Sequence, residues 1–176
     1  MDFVIRDTLP FPRAEVFGVH RDRLPEVADF LPNVESIEVT QREEEGAVVR
    51  LVNLWKAAET EVPTVARPFI KPEMLRWIDR AVWNQDRWRC QWEIELGFLP
   101  EAITARGYND FVEQNGQTTI TINGEITIRA EKIPGVPRLL AGKLSSAIEA
   151  FVVKMIEPNL RQTNAAVRRL MEQDAR

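Results

Sequence analysis

The sequence predicts an α+β fold: a curved antiparallel β-sheet of six to seven strands wrapped around one long C-terminal helix, with two short helices after the first strand. Three observations carry that expectation. From residue 34 to 130 the chain is a succession of β-rich runs punctuated by turns, and from Arg138 to about Gln173 it is one long amphipathic helical pattern. The first strand is followed by two proline-punctuated helical stretches.

Residues 2 to 8 alternate as a short strand. After Pro10 and Pro12, helical spacing runs through Val16, Phe17, Val19 and His20, and Pro25 opens a second short helix ending near Leu31-Pro32. Residues 34 to 41 and 47 to 56 read as two strands joined by the charged turn Arg42-Glu43-Glu44-Glu45-Gly46. Ala57 to Glu73 holds Pro63, Pro68 and Pro72, too many prolines for a central strand. It reads as an irregular crossing with one helical turn around Thr64 to Ile70, and as a lid. Val62, Val65, Phe69 and Ile70 need apolar cover there, while Arg67 and Lys71 suit brief contact with an anionic bilayer. Strands return at 75 to 83, 87 to 96, 102 to 113 and 117 to 130, joined by Gln85-Asp86, by Gly97 to Glu101 and by Asn115-Gly116. The Asn-Gly pair is the strongest turn signal, since a type I′ turn needs positive φ at both central residues. In the C-terminal pattern Leu140, Leu144, Ile148, Phe151 and Met155 share one face, and Pro158 predicts a kink.

Turns set registers, and registers assign faces, because opposed residues point the same way. A two-residue loop at Gln85-Asp86 sets Trp83 against Trp88, Ala81 against Cys90, Asp79 against Trp92 and Trp77 against Ile94, an aromatic and apolar face. The other face pairs Arg76 with Glu95, Arg80 with Gln91 and Val82 with Arg89. Asn115-Gly116 brings Phe111, Ala105 and Ile103 onto Ile120, Ile126 and Ile128, with Arg106 meeting Glu125 outside. Gly107 then lies opposite Gly124 on the apolar face, a bare patch for which the C-terminal helix is the expected cover.

A chain of 176 residues with 44% hydrophobic and 28% charged residues reads as one globular domain, 1–176. Cys90 and His20 are the only residues of their kinds, so neither a disulfide framework nor a Cys/His zinc site is available. A net charge of -4 gives no basic excess with which to neutralise phosphates, so nucleic acid is not the expected partner. No apolar run reaches the roughly 18 residues of a membrane span. Met1 to Asp7 is acidic and strand-like rather than a secretory signal, so the expected compartment is the cytoplasm. Arginine outnumbers lysine 18 to 5, the usage of a GC-rich bacterial genome.

A sheet with one apolar face curled around one helix leaves a concavity the helix does not fill. The element order, over nearly the whole chain, resembles the START-like, SRPBCC or helix-grip superfamily. Local texture adds to it: Gly124-Glu125-Ile126-Thr127-Ile128 running to Ile133-Pro134, then Gly142-Lys143-Leu144 to Glu149. The stretch Arg50-Leu51-Val52-Asn53-Leu54-Trp55 with Pro63-Thr64-Val65 is similar to the PRELI-like lipid-transfer branch. The resemblance implies an internal cavity between sheet and C-terminal helix that binds a lipid, isoprenoid, polyketide or other hydrophobic or amphipathic small molecule, and transports it. The alternative it implies is an enzyme of the polyketide cyclase or aromatase type. A co-chaperone-like protein-interaction module stands third. No cofactor or metal is expected, and membrane contact is transient at most.

The candidate cavity-lining residues are Asn53, Trp55, Trp77, Asp79, Trp83, Trp88, Trp92, Asn109, Phe151 and Met155. Asp79 stands out as a carboxylate on an apolar face, which must be paired, protonated or wet. It reads either as the polar anchor or acid/base of a site, or as a side chain turned outward by a bulge or paired with Arg67 or Arg76. Trp77, Trp83, Trp88 and Trp92 line a pocket or simply pack, and Asn53 and Asn109 bond a ligand carbonyl or satisfy a bulge. Arg106, Tyr108 and Asp110 alternate along one strand with Glu93, Arg89 and Glu125, the pattern of a salt-bridged surface. His20, beside Arg21, Asp22 and Arg23, reads as a surface histidine. Cys90, on the apolar face, reads as a small hydrophobe.

Overall fold

The structure, a computed structural model, describes residues 2–58, 75–96, 103–129, 132 and 160–176. The lid segment from residue 59 onward, the Gly97 to Glu101 loop, the helix face from Leu140 to Met155 and the kink at Pro158 lie outside the described residues.

Seven strands form one antiparallel sheet in the order β1-β7-β6-β5-β4-β3-β2. They are β1 (Asp2–Leu9), β2 (Val34–Glu45), β3 (Val48–Ala57), β4 (Arg76–Asn84), β5 (Arg89–Leu96), β6 (Ile103–Gln114) and β7 (Gln117–Ile128). Helices α1 (Arg13–Asp22) and α2 (Leu24–Val27), with a 3-10 turn at Ala28–Phe30, follow β1, and the chain closes with α3, residues 160–174. Period-2 burial confirms the strand assignment: in β1, Ile5 and Leu9 are buried while Asp2, Val4, Arg6 and Thr8 are exposed.

Pro12 stands at the N-cap of α1 with no capping side chain. The carboxylate Glu113, at the end of β6, supplies what the sequence before the helix lacks, accepting from the Arg13 amide at 2.8 Å. That bond pins α1 over the β6–β7 end of the sheet. There the Phe17 ring meets Trp83, Trp88 and Phe111 edge to face at centroid distances of 5.0, 5.3 and 5.2 Å. Along α3, Asn164, Val167, Leu170 and Met171 are buried at helical spacing and join the same core as Phe17, Trp83 and Phe111. Arg23 ties the two helical regions together at the rim, bridging Glu26 and Asp174.

The Asn115-Gly116 hairpin has the expected register, with Phe111 on Ile120, Ala105 on Ile126, Arg106 on Glu125 and Gly107 on Gly124. Both turn residues take positive φ, 55° and 73°. Three other expectations are corrected. The acidic stretch 42–45 is strand and not turn: β2 runs to Glu45, and the turn is Gly46-Ala47, with Gly46 at φ 59°. An edge strand tolerates this charge because it faces water, and Arg42 pairs with both Glu44 and Asp22.

The β4–β5 hairpin closes with a four-residue turn, 85–88, instead of two. Gln85-Asp86 lacks the glycine a tight turn favours, and Asn84 Oδ1 instead accepts the Arg87 amide at 3.0 Å. The register moves by two: Trp83 faces Cys90, Ala81 faces Trp92, Asp79 faces Ile94 and Trp77 faces Leu96. An even shift keeps every face assignment, yet it expels Trp88 from the ladder into the turn at φ 50°. On the outer side Ile78 faces Glu95, Arg80 faces Glu93 and Val82 faces Gln91, replacing the expected Arg76–Glu95, Arg80–Gln91 and Val82–Arg89 pairs.

The glycine patch, finally, is not covered by a helix in the described residues. A Cβ on Gly124 would collide with the Phe3 ring, and one on Gly107 with the Trp92 indole and the Asn123 carbonyl. Phe3, Gly124, Gly107 and Trp92 are consecutive partners across four strands, so two large rings lie over two absent side chains.

Candidate functional site

The inner face of the sheet is built from rows of opposed residues. One row is Val49, Trp83, Cys90, Asn109, Ile122 and Ile5; the next is Leu51, Ala81 and Trp92, leading to the glycine patch. Beyond them come Asn53, Asp79, Ile94, Ala105 and Ile126, and at the far end Trp55 and Trp77. The first row is sealed: Val49, Trp83, Cys90, Ile122 and Ile5 are all buried against α1, α3 and their neighbours. Toward the far rows the seal becomes partial, although Asn53, Ala105 and Ile126 stay buried. Trp92, Asp79, Ile94, Trp55, Trp77 and Ile103 are half-buried, keeping accessible surface on the face that elsewhere forms the core.

Asp79 lies on this inner face, so neither alternative reading of it holds among the described residues. No bulge interrupts β4 in its pairing with β3 or β5, and Arg76, next to Lys56 on the opposite face, is exposed. Arg67 lies outside the described residues. Among the described residues the Asp79 carboxylate accepts one hydrogen bond, from Asn53 Nδ2 at 3.0 Å. Burial pushes its pKa up to about 6, opposed by the Asn53 bond and by the nearby Trp55 indole. The Trp55 N–H falls short of a hydrogen bond and is left unmet, as is Asn53 Oδ1, although Asn53 is 0% exposed. Two acceptors and one donor therefore converge with incomplete partners, and Trp55 stacks on Trp77 beside them at 5.5 Å and 22°.

The other sequence candidates divide. Asn109 Oδ1 accepts from the Trp92 indole N–H at 2.8 Å, which holds that ring over the glycine patch. Trp83 is a core residue, 4% exposed, with its N–H unmet. Trp88 belongs to the α1 contact instead, where the Arg13 guanidinium lies 4.3 Å from its ring centre. Phe151 and Met155 lie outside the described residues. Cys90 is buried, and burial followed by the Asp79 charge pushes its thiol pKa well up, which disfavours a thiolate nucleophile.

Arg106, Tyr108 and Asp110 form the salt-bridged outer surface expected of them. Arg106 pairs with Glu125 at 2.7 Å, and Arg89 pairs with Asp110 at 2.6 Å while lying over the Tyr108 ring. An open groove of about 590 Å3 runs over this outer face, with Arg106 and Glu125 on its floor already satisfying each other. The inner face is the more promising site because its polar groups remain unmet. Among the described residues no three His, Cys, Asp or Glu side chains gather to hold a metal ion, and no helix is long and apolar enough to cross a membrane.

His20 corrects its surface assignment. It is 6% exposed on the core side of α1, with Nδ1 2.8 Å from the Val16 carbonyl and Nε2 3.3 Å from the Asn164 side chain of α3. Spacing placed it on the apolar stripe with Val16, Phe17 and Val19, and the adjacent charges masked that signal. A neutral ring that donates from Nδ1 to Val16 must accept at Nε2, which the Asn164 amide nitrogen can supply once its O and N are exchanged, leaving the amide oxygen as the atom without a partner.

No protein-family model matches the chain, and no curated protein sequence does. Solved structures match over almost its full length. The Zhui aromatase/cyclase from Streptomyces sp. R1128 superposes with a TM-score of 0.68 at 17% identity, covering 100% of this chain and 96% of that one. Norcoclaurine synthase from Thalictrum flavum, in complex with dopamine and hydroxybenzaldehyde, gives 0.59 at 14% identity over 98% and 88%. Ara h 8.0201 gives 0.61 at 14% identity over 95% and 97%. All three have the START-like helix-grip fold, and this chain shares it.

Proposed function

We propose that this protein binds a hydrophobic or amphipathic small molecule against the inner face of its sheet, in a cavity closed by the C-terminal helix. The observation that carries the reading is the change along one face, from a sealed end at Val49, Trp83 and Cys90 to half-buried Trp55, Trp77, Asp79, Trp92 and Ile94. Apolar walls around a few convergent polar groups are what small-molecule sites are made of. The fold supports a hydrophobic ligand or a cyclase-type substrate equally, and fold alone does not select between them.

Asp79, a carboxylate among aromatic and apolar neighbours, reads as the polar anchor for the head group of a carried ligand. Native mass spectrometry of protein purified from its source tests this. A co-purifying apolar ligand released on denaturation supports binding; an empty protein that converts an added poly-β-ketone supports the cyclase instead. Neither ligand nor turnover, with partner proteins retained on the surface, sends the reading to an interaction module.

A further inference from the structure

We propose that Asp79, Asn53 and Trp55 form a receptor for the protonated amine head of an amphipathic ligand whose apolar body lies along Trp77, Trp92 and Ile94. The proposal rests on the cavity reading above and names the ligand class for it. Its basis is an imbalance of hydrogen-bonding groups. The Asp79 carboxylate has room for about four donors and, among the described residues, receives one full hydrogen bond, from Asn53, and the weaker approach of the Trp55 N–H. Asn53 Oδ1, on a side chain with no exposed surface, receives none. Against these acceptors stands one unmet donor, the Trp55 indole N–H.

No cation among the described residues bonds to Asp79. The described neighbours that face it are Asn53 and Trp55 from β3, Ile94 from β5 and, in the next row but one, the neutral Cys90 thiol. A ligand carboxylate would be repelled, and an alcohol brings one donor. An ammonium brings three donors and the missing charge, so it meets Asp79 and Asn53 Oδ1 together. The stacked Trp55 and Trp77 rings beside the carboxylate add faces that attract a cation.

Calorimetric titration of the full chain with 1-naphthylmethylamine, 1-naphthylmethanol and 1-naphthoate at pH 7.5 tests this, with Asp79→Asn as the variant. The expected result is that the amine binds about tenfold tighter than the alcohol, as one charge-assisted hydrogen bond is worth. In Asp79→Asn the two should come within about twofold, because the amine loses the opposite charge and the alcohol loses only part of one hydrogen bond. A wild-type pH series serves even if the variant fails to fold: amine affinity should fall as the carboxyl, with its pKa of about 6, takes up a proton, while alcohol affinity stays level. Amine and alcohol binding equally at every pH overturns the amine receptor and leaves the cavity standing. No binding by any of the three overturns both.

Discussion

Replacing Asp79 with Asn should make the protein more stable at neutral pH. The ordinary value for the carboxyl is 3.8 and the folded protein raises it to about 6, because the charged form is desolvated on the inner face and one bond from Asn53 does not compensate. A gap of that size corresponds to about 3 kcal/mol. Water reaching a half-buried group reduces it, so a gain of about 1 to 3 kcal/mol is expected for the near-isosteric amide. The sign follows from the raised pKa. Between pH 4 and 6 the folded state holds the Asp79 proton more tightly than the unfolded chain, so its contribution to stability falls as pH rises and levels off above about 6. The assay is urea unfolding of both proteins at pH 4.5 and 7.5. The variant's advantage should be about a third of its full size at the lower pH, where the unfolded carboxyl is already largely ionised, and full at the higher. His20 titrates in the opposite sense but is common to both proteins, so the difference isolates Asp79. A variant less stable at pH 7.5 than at 4.5, relative to wild type, would refute the argument, since it would mean that a cation pairs with the carboxylate. A side chain that costs stability where it stands is what a binding group looks like.

Phe17→Ala should cost about 3 to 5 kcal/mol in denaturant unfolding, because the ring is 1% exposed and meets three aromatic neighbours that cannot close over the hole. Burial lowers the His20 pKa below 6.5, so the native state holds its ring neutral and stability should fall as pH drops through 6.5; in His20→Gln this component of the pH profile should vanish, and its persistence would place the titration elsewhere. Gly124→Ala should lower the melting temperature by the equivalent of about 1 to 3 kcal/mol, since the new methyl collides with Phe3. Combining it with Phe3→Leu should cost less than the sum of the two single changes, and strict additivity would show that the ring does not cover the glycine.

The strand content, the order of elements and the Asn115-Gly116 register were legible in the sequence because each depends on local patterns: alternation, positive φ and proline placement. The inner-face assignment of Trp77, Asp79, Trp83 and Trp92 survived a wrong hairpin loop only because the error was even, and side chains alternate with period two. What local pattern does not encode is which group sits across a turn or under a helix. Trp88 left the ladder because Asn84 caps a longer turn, and His20 went inside because Asn164, 144 residues away, receives it. Phe3 covers Gly124 from the other end of the chain. The unmet Asn53 and Trp55 atoms beside Asp79 belong to the same class, since satisfaction of a polar group is decided by three-dimensional neighbours. The sequence by itself determined that a carboxylate would stand on an apolar face, and only the tertiary structure decided that no arginine among the described residues would answer it.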